Sequence, residues 1–310
     1  MGLKILLTGK NGQVGSELCR LLPSLGDLIA FSHEELDLSD LDTLRRTLHE
    51  VRPRLIVNAA AYTQVDRAES DEAAAFGVNA AAPALLAEEA QKIGAAIVHY
   101  STDYVFDGRK TSPYLESDPP NPLGVYGKSK LGGEEAIRAS GVPHLILRTG
   151  WVYASHGRNF LLTILRLSTQ RDELKVVSDQ RGAPTWSRET ASGTVRILAS
   201  LTEKGWNRDS FAAASGTYHM TAVGETSWHQ FAQAILEESC SIPRQASWFV
   251  AATSGLPQVT RRVTAITTAE YPTPARRPAY SVLSNLRLQQ SFGFQLPPWR
   301  EQLHTLFCGG

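Results

Sequence analysis

Short apolar runs alternate with longer amphipathic stretches through the first half of the chain. The runs Leu3–Thr8, Leu28–Phe31, Leu55–Asn58, Ala96–Tyr100 and Leu145–Arg148 are nearly continuous rather than alternating. Strands of that kind are covered on both faces, which is the pattern of a parallel sheet. Helical patterns begin near Gln13, Asp40, Glu69 and Tyr126. Strand–helix–strand units with right-handed crossovers predict a doubly wound α/β sheet. After Gly150 the rhythm changes. Helical patterns at Asn159–Thr169, Arg188–Leu201 and Ser227–Ser239 are separated by loops rich in Gly, Pro, Ser and Thr. This half reads as a smaller α+β domain whose later segments return to finish the sheet. The expected division is 1–150 plus roughly 172–222 for the sheet domain, and roughly 151–171 plus 223–310 for the smaller one.

Composition narrows the function. The 310 residues carry 31 Lys+Arg and 31 Asp+Glu, a net charge of zero. A general nucleic-acid binder needs a basic surplus, so no nucleic-acid partner is expected. A chain this long buries a sizeable core without disulfides or metal. Cys19, Cys240 and Cys308 form no C-x-x-C pair. They indicate neither a disulfide framework nor a zinc site, and fit a reducing cytoplasm. The opening apolar run meets a glycine loop at once, too early for a signal peptide. No stretch approaches the ~18 apolar residues of a membrane span, so no membrane partner is expected.

Gly9-Lys10-Asn11-Gly12-Gln13-Val14-Gly15 follows the first predicted strand and opens the first predicted helix. This G-x-x-G-x-x-G loop is a relative of the Rossmann fingerprint. Glycines permit the tight turn and let a pyrophosphate approach the backbone, while the helix start offers N–H groups and a positive dipole end. The sheet is therefore read as Rossmann-like and dinucleotide-binding. A carboxylate ending the second strand would hold the ribose 2′-hydroxyl and repel a 2′-phosphate. That strand ends in Ser32-His33, with none. NADPH is therefore favoured, and NADH stays an alternative. Asp37, followed by Leu38, lies beyond the strand end and is expected nearer the adenine than the ribose.

Tyr126-Gly127-Lys128-Ser129-Lys130 is Y-x-x-x-K at the start of a helix. Residues four apart share a helix face, which brings the Lys130 ammonium toward the Tyr126 phenol. A nearby cation favours phenolate, so the pKa is expected to fall from about 10 toward a working range for a general acid. Ser101-Thr102-Asp103-Tyr104 follows the fourth strand, at the sheet edge where ligands of open α/β sheets bind. A hydroxyl there can bond an oxygen that gains charge during hydride transfer.

These residues resemble the extended short-chain dehydrogenase/reductase superfamily. Longer segments narrow the likeness to dTDP-4-dehydrorhamnose reductases: Asn58 to Glu69, Ser101 to Gly108, Arg148 to Tyr153, Asp179 to Thr185 and Tyr271 to Pro274. The resemblance runs from residue 3 to about residue 300. It implies reduction of the C4 ketone of dTDP-4-dehydro-β-L-rhamnose to dTDP-L-rhamnose. That is the last step of dTDP-rhamnose biosynthesis, a carbohydrate route serving lipopolysaccharide O-antigen. NADPH, or NADH less favourably, would supply the hydride. Thr102, Tyr126 and Lys130 match the family's catalytic trio. Asn11, Gln13 and Val14 match its diphosphate loop, with Gly9, Gly12 and Gly15. Ala59, Ala60 and Ala61 match the wall beside adenosine and ribose, and Asn79 the asparagine supporting the site. Val65, Asp103, Tyr104 and Trp151 match residues facing the deoxysugar, with Ser101 beside them. The smaller domain would then bind the sugar nucleotide.

Two departures stand out. Members usually carry Asn-Ser after the late Arg-Pro, whereas this chain reads Arg277-Pro278-Ala279-Tyr280-Ser281. Some members hold Mg2+ at a subunit contact through glutamates. Glu17 and Glu189 match two of these, but the register near Trp299-Arg300-Glu301 does not yield a third, and the chain is expected as a monomer or homodimer. Asp66 and Glu69 fit helix capping as well as catalysis. Arg276 and Arg277 fit a substrate diphosphate as well as solvent. His99 reads as core and His229 as a helix-face residue. Two other readings share the motifs: a related sugar-nucleotide epimerase or dehydratase that returns its hydride, and a non-catalytic NADP-binding regulatory subunit. A dehydratase would want an acidic pair beside the threonine, and a regulator has no need of the trio.

Overall fold

A computed structural model describes residues 2–203, 205–240 and 246–309. The first half runs β1 (Lys4–Thr8), α1 (Gln13–Leu21), β2 (Asp27–Phe31), α2 (Leu41–Val51), β3 (Leu55–Asn58), α3 (Val65–Ala68), α4 (Glu72–Phe76), α5 (Ala82–Ile93), β4 (Ala96–Thr102), α6 (Val125–Ala139) and β5 (His144–Thr149). The second half runs β6 (Val152–Tyr153), α7 (Phe160–Ser168), β7 (Glu173–Val177), β8 (Arg181–Gly182), β9 (Thr185–Trp186), α8 (Ser187–Thr202), α9 (Arg208–Ala213), β10 (Gly216–His219), β11 (Thr226–Ser227), α10 (Trp228–Ser239), α11 (Ser247–Thr253), β12 (Arg262–Ile266), α12 (Leu286–Phe292) and α13 (Trp299–Gly309).

Six strands form one sheet in the order β10-β5-β4-β3-β1-β2, every neighbouring pair parallel. The reason is visible in β1. Its Ile5 and Leu7 join a core with Leu18 of α1, Leu22 just after it, and Ala191 and Ile197 of α8. Leu6 joins the opposite core with Leu44 and Leu48 of α2, Leu86 of α5 and Ile137 of α6. Successive residues point to opposite faces, so a continuous apolar strand buries both. The chain leaves β1 for β2 on one side and returns to β3 on the other. That reversal opens a crevice at the carboxyl ends of β1 and β3.

The helix expected near Glu69 is instead a series. α3 starts at Val65, and α4 passes through a wide π turn at Gly77–Ala81 into α5. Pro83 sits in the first turn of α5 and has no N–H for the carbonyl of Asn79, four residues back. The other start signals hold, with Asp40 capping α2 and Asn159 capping α7 through backbone N–H bonds of 3.0 Å each.

The segment 172–222 divides. β10 joins the large sheet and α8 packs against α1, but β7 pairs with β12 away from that sheet. A third core lies there, built from Tyr153, Leu161, Trp186, Phe231, Ile235 and Phe307 among others. All three cysteines are free. Among the described residues no helix is long and apolar enough to cross a membrane.

Very close packing joins α1 to the loop before it. A Cβ on Gly15 would lie 2.0 Å from the Gly9 carbonyl oxygen. Gly15→Ala should therefore lower stability by about 1–3 kcal/mol, the usual cost of overpacking, read as a lower denaturant midpoint at unchanged slope.

Candidate active site at the carboxyl edge of the sheet

The site starts from the turn after β1. Gly9 adopts φ 76°, open to glycine at little cost. A Cβ there would come 2.8 Å from the Ala60 backbone, just past β3. The two chains thus touch where the strands diverge. No side chain caps the first turn of α1 at Gly12, so its N–H groups and dipole face the crevice edge unmasked. This cradle suits the diphosphate of a dinucleotide. The Asn159 amide donates to Gln13 Oε1 at 2.9 Å, tying the cradle to the smaller half. Val14 packs on the core, Asn11 is exposed, and Ala59, Ala60 and Ala61 line the exit of β3 half-buried. Asp37 bonds the Ser39 N–H at 2.9 Å. Leu38, expected beside the cofactor, is 3% exposed and packs into the core below the sheet.

β4 ends at Thr102. Its hydroxyl accepts the Tyr104 N–H at 3.1 Å and donates to Asp103 Oδ1 at 3.1 Å, fixing a short turn. Tyr126, in the first turn of α6, brings its phenol near enough to feel that hydroxyl, and its ring meets Tyr104 edge-on at 5.8 Å. Thr102, Asp103, Tyr104 and Tyr126 therefore converge. Burial pushes the Tyr126 phenol up to about 12, the nearby Thr102 hydroxyl opposing and the Asp103 charge adding. Burial likewise lifts the Asp103 carboxyl to about 6, with the nearby Ser281 hydroxyl and the Thr102 hydrogen bond opposing.

Lys130 lies one turn further along α6, buried. Its Nζ donates to the Tyr100 carbonyl at 2.6 Å and stands 3.4 Å from His99 Nε2. Desolvation pulls it down to about 8, and the Glu134 charge resists. The expected lowering of the Tyr126 pKa by Lys130 is thus corrected. The i,i+4 spacing is present, but the lysine charge is weakened by burial and spent on a carbonyl, so desolvation of the phenol decides. His99, read as plain core, is buried and also bonds Asn58 at 3.0 Å, making it the back wall of the lysine.

Several residues act through others. Glu69 caps not its own helix but α6: Oε1 accepts the Val125 N–H at 2.8 Å, next to Tyr126. Asn79, in the π turn, accepts from Tyr62 N–H at 2.9 Å and donates to Tyr62 carbonyl and Ser129 Oγ at 3.0 and 3.1 Å. Its amide is used by protein, so it holds the 59–62 loop against α6 and offers no spare polar atom. Ser101 is buried, and its hydroxyl has no hydrogen-bond partner among the described residues. Asp66 is no cap either. It pairs with Arg277 at 2.8 Å and accepts the Ala275 N–H at 3.2 Å, and the guanidinium holds its carboxyl below the usual range. Arg277 also lies near enough to Tyr104 for the two to shift each other's ionisation. Val65 stands beside Asp66 at the start of α3.

Trp151 follows β5 through Gly150, where a Cβ would come 2.7 Å from Asp103 Cγ. Its φ is 51°, a costly value for a bulky residue. It is held there by Trp228, stacked at 3.5 Å and 2°, and by Gly182, where a Cβ would come 2.3 Å from the indole. Trp228, Gly182 and Ser281 carry no site role in the sequence, although the last two lie inside segments that resemble the family. Ser281 stands one residue past the altered Arg-Pro-Ala-Tyr. As for magnesium, Glu17 pairs with Arg20 at 3.6 Å. Burial raises the Glu189 carboxyl, Arg188 opposing and Glu301 adding. Among the described residues no group of three His, Cys, Asp or Glu side chains is placed to hold a metal ion within one chain.

Two outcomes follow from this geometry. For free protein the basic limb of log kcat/KM should fall near pH 8, where Lys130 loses its proton, while Tyr126 stays protonated. Lys130→Arg should move that limb upward. Glu69→Ala should cost about 1 kcal/mol of stability, as a lost cap does, and lower kcat more than it raises KM; Glu69→Gln should recover most of both.

The family model described as RmlD substrate binding domain matches residues 3–308. A dTDP-4-dehydrorhamnose reductase of Burkholderia thailandensis is 50% identical over 298 residues, covering 96% of each chain. One from Escherichia coli K12 is 42% identical, covering 98% of each. The crystal structure of the reductase from Bacillus anthracis in complex with NADP superposes with a TM-score of 0.86 at 31% identity, covering all of both chains. The chain belongs to the RmlD family of dTDP-4-dehydrorhamnose reductases.

Proposed function

We infer that this chain reduces the C4 ketone of dTDP-4-dehydro-β-L-rhamnose to dTDP-L-rhamnose, with NADPH, or NADH less favourably, as reductant. The observation that carries this is the convergence of the Thr102 hydroxyl, at the end of β4, with the buried Tyr126 phenol at the start of α6, on the sheet edge that holds the glycine cradle. When bound, the nicotinamide supplies the hydride for C4. Gly9, Gly12, Gly15, Asn11, Gln13 and Val14 seat the diphosphate, and Ala59, Ala60 and Ala61 flank the adenosine.

Tyr126 gives its phenolic proton to the C4 oxygen as that oxygen gains charge. A phenol lifted to about 12 stays loaded with its proton at neutral pH. The alkoxide it meets is a far stronger base, so transfer runs downhill. Thr102 donates to the same oxygen. Lys130 holds the ribose and stabilises the phenolate once the proton has left. Val65, Asp103, Tyr104 and Trp151 face the sugar, and Arg277 stands near Tyr104. The smaller half carries the sugar nucleotide, and the chain works as a monomer or homodimer in the cytoplasm, a setting its three free thiols support.

The test is a turnover assay with the 4-keto sugar nucleotide. Reduced nicotinamide should be consumed one for one with ketone. Tyr126→Phe should lose about 10²–10⁴ in kcat while still binding cofactor, the usual worth of a general acid. A folded protein that leaves the cofactor unconsumed, or a phenylalanine variant of full rate, would remove this assignment.

A further inference from the structure

The carboxyl end of β2 carries an ion pair that the linear sequence conceals. Lys10 of the glycine turn donates its backbone N–H to the Phe31 carbonyl at 3.0 Å. Its Nζ lies 2.6–2.7 Å from both carboxylate oxygens of Glu35. Glu35 Oε2 in turn accepts the Ser32 N–H at 2.7 Å. A carboxylate four residues beyond the strand thus folds back onto the strand end. It stands twenty residues after the last glycine of the loop (35 − 15). At this place in a dinucleotide fold an acid accepts the ribose 2′-hydroxyl, and a cation accommodates a 2′-phosphate. Here both charges occupy one spot. The remaining charged neighbours are the Glu34 carboxyl, hydrogen-bonded to Ser32, and the exposed His33, 3.7 Å from Asp37.

We propose that the Lys10–Glu35 pair selects between cofactors at the 2′ position: Glu35 accepts the 2′-hydroxyl of NADH, and Lys10 leaves Glu35 to bind the 2′-phosphate of NADPH. The inference rests on the dinucleotide reading of the glycine loop. The pair is half exposed, so its own attraction is weak and screened. A phosphate monoester carries more charge than a carboxylate and three acceptor oxygens, so it wins the ammonium. Glu35 keeps the Ser32 N–H when Lys10 departs. Its remaining negative charge opposes the phosphate, which limits the preference for NADPH. Dual use of both cofactors follows from opposed charges sharing a site.

Direct calorimetric titration of the protein with NADP+ and with NAD+ tests this. Wild type should bind NADP+ more tightly by less than about tenfold, the scale of opposed partly exposed charges. Glu35→Gln should raise the NADP+/NAD+ affinity ratio by about tenfold, chiefly through tighter NADP+. Lys10→Met should lower that ratio by about as much, and Lys10→Arg should restore it. Added salt should weaken NADP+ more than NAD+ in wild type and equally in Lys10→Met. An affinity ratio unchanged in both Glu35→Gln and Lys10→Met overturns the selector, leaving the reductase reading intact. Failure of folded wild type to bind either cofactor overturns the dinucleotide reading instead.

Discussion

Everything in this molecule is arranged around two backbones that touch. At the point where β1 and β3 part, Gly9 and Ala60 approach so closely that a single methyl group would separate them. The contact exists because a doubly wound sheet reverses direction there, and the reversal leaves a crevice at the strand ends. Gly15 then lets α1 dock on the same turn. One steric condition thus sets the crevice, the open helix start above it, and the line along which a dinucleotide reaches the end of β4.

The chemistry at that end is governed by burial more than by pairing. Tyr126 and Asp103 carry no cation against them, and both are pushed toward their protonated forms. Lys130 is pushed toward its neutral form. A site built this way stores little charge at rest and has hydroxyls aimed where charge will develop, which is where preorganised dipoles act most strongly. The supports are equally indirect. Glu69 fixes the start of α6, Asn79 locks α6 to the 59–62 loop, and the Trp228–Gly182 pair holds Trp151 in a conformation it would otherwise leave.

The fold was largely legible in the chain. Five strands, the glycine loop and the capping residues Asp40 and Asn159 rest on local rules of periodicity and start signals. The Thr102–Tyr126 encounter was legible too, since motif order places both at one sheet edge. Partners across long sequence distances were not. Glu69 capping a helix 56 residues away, Leu38 turned into the core and Asn79 spending its amide on Tyr62 depend on how elements dock, which no window of sequence contains. Tyr126 failed for a different reason: spacing gives the neighbour but not the desolvation that outweighs it. Glu35 was overlooked because it reaches back from a loop rather than ending the strand.

The crevice lies in the first half of the chain, but its closure does not. Asp66 is bound by Ala275 and Arg277, and Ser281 stands close enough to Asp103 to oppose the lift of its carboxyl. During synthesis the amino-terminal part folds first. A nascent chain can thus lay down β1 to β5 and the glycine turn before β10 joins the sheet and before residues 275–281 leave the ribosome. It remains an open-sided half-site until residues 275–281 emerge, so premature release yields a product with a formed cradle and an unbraced reaction chamber. Competence therefore waits on segments far along the chain, residues 275–281 among them.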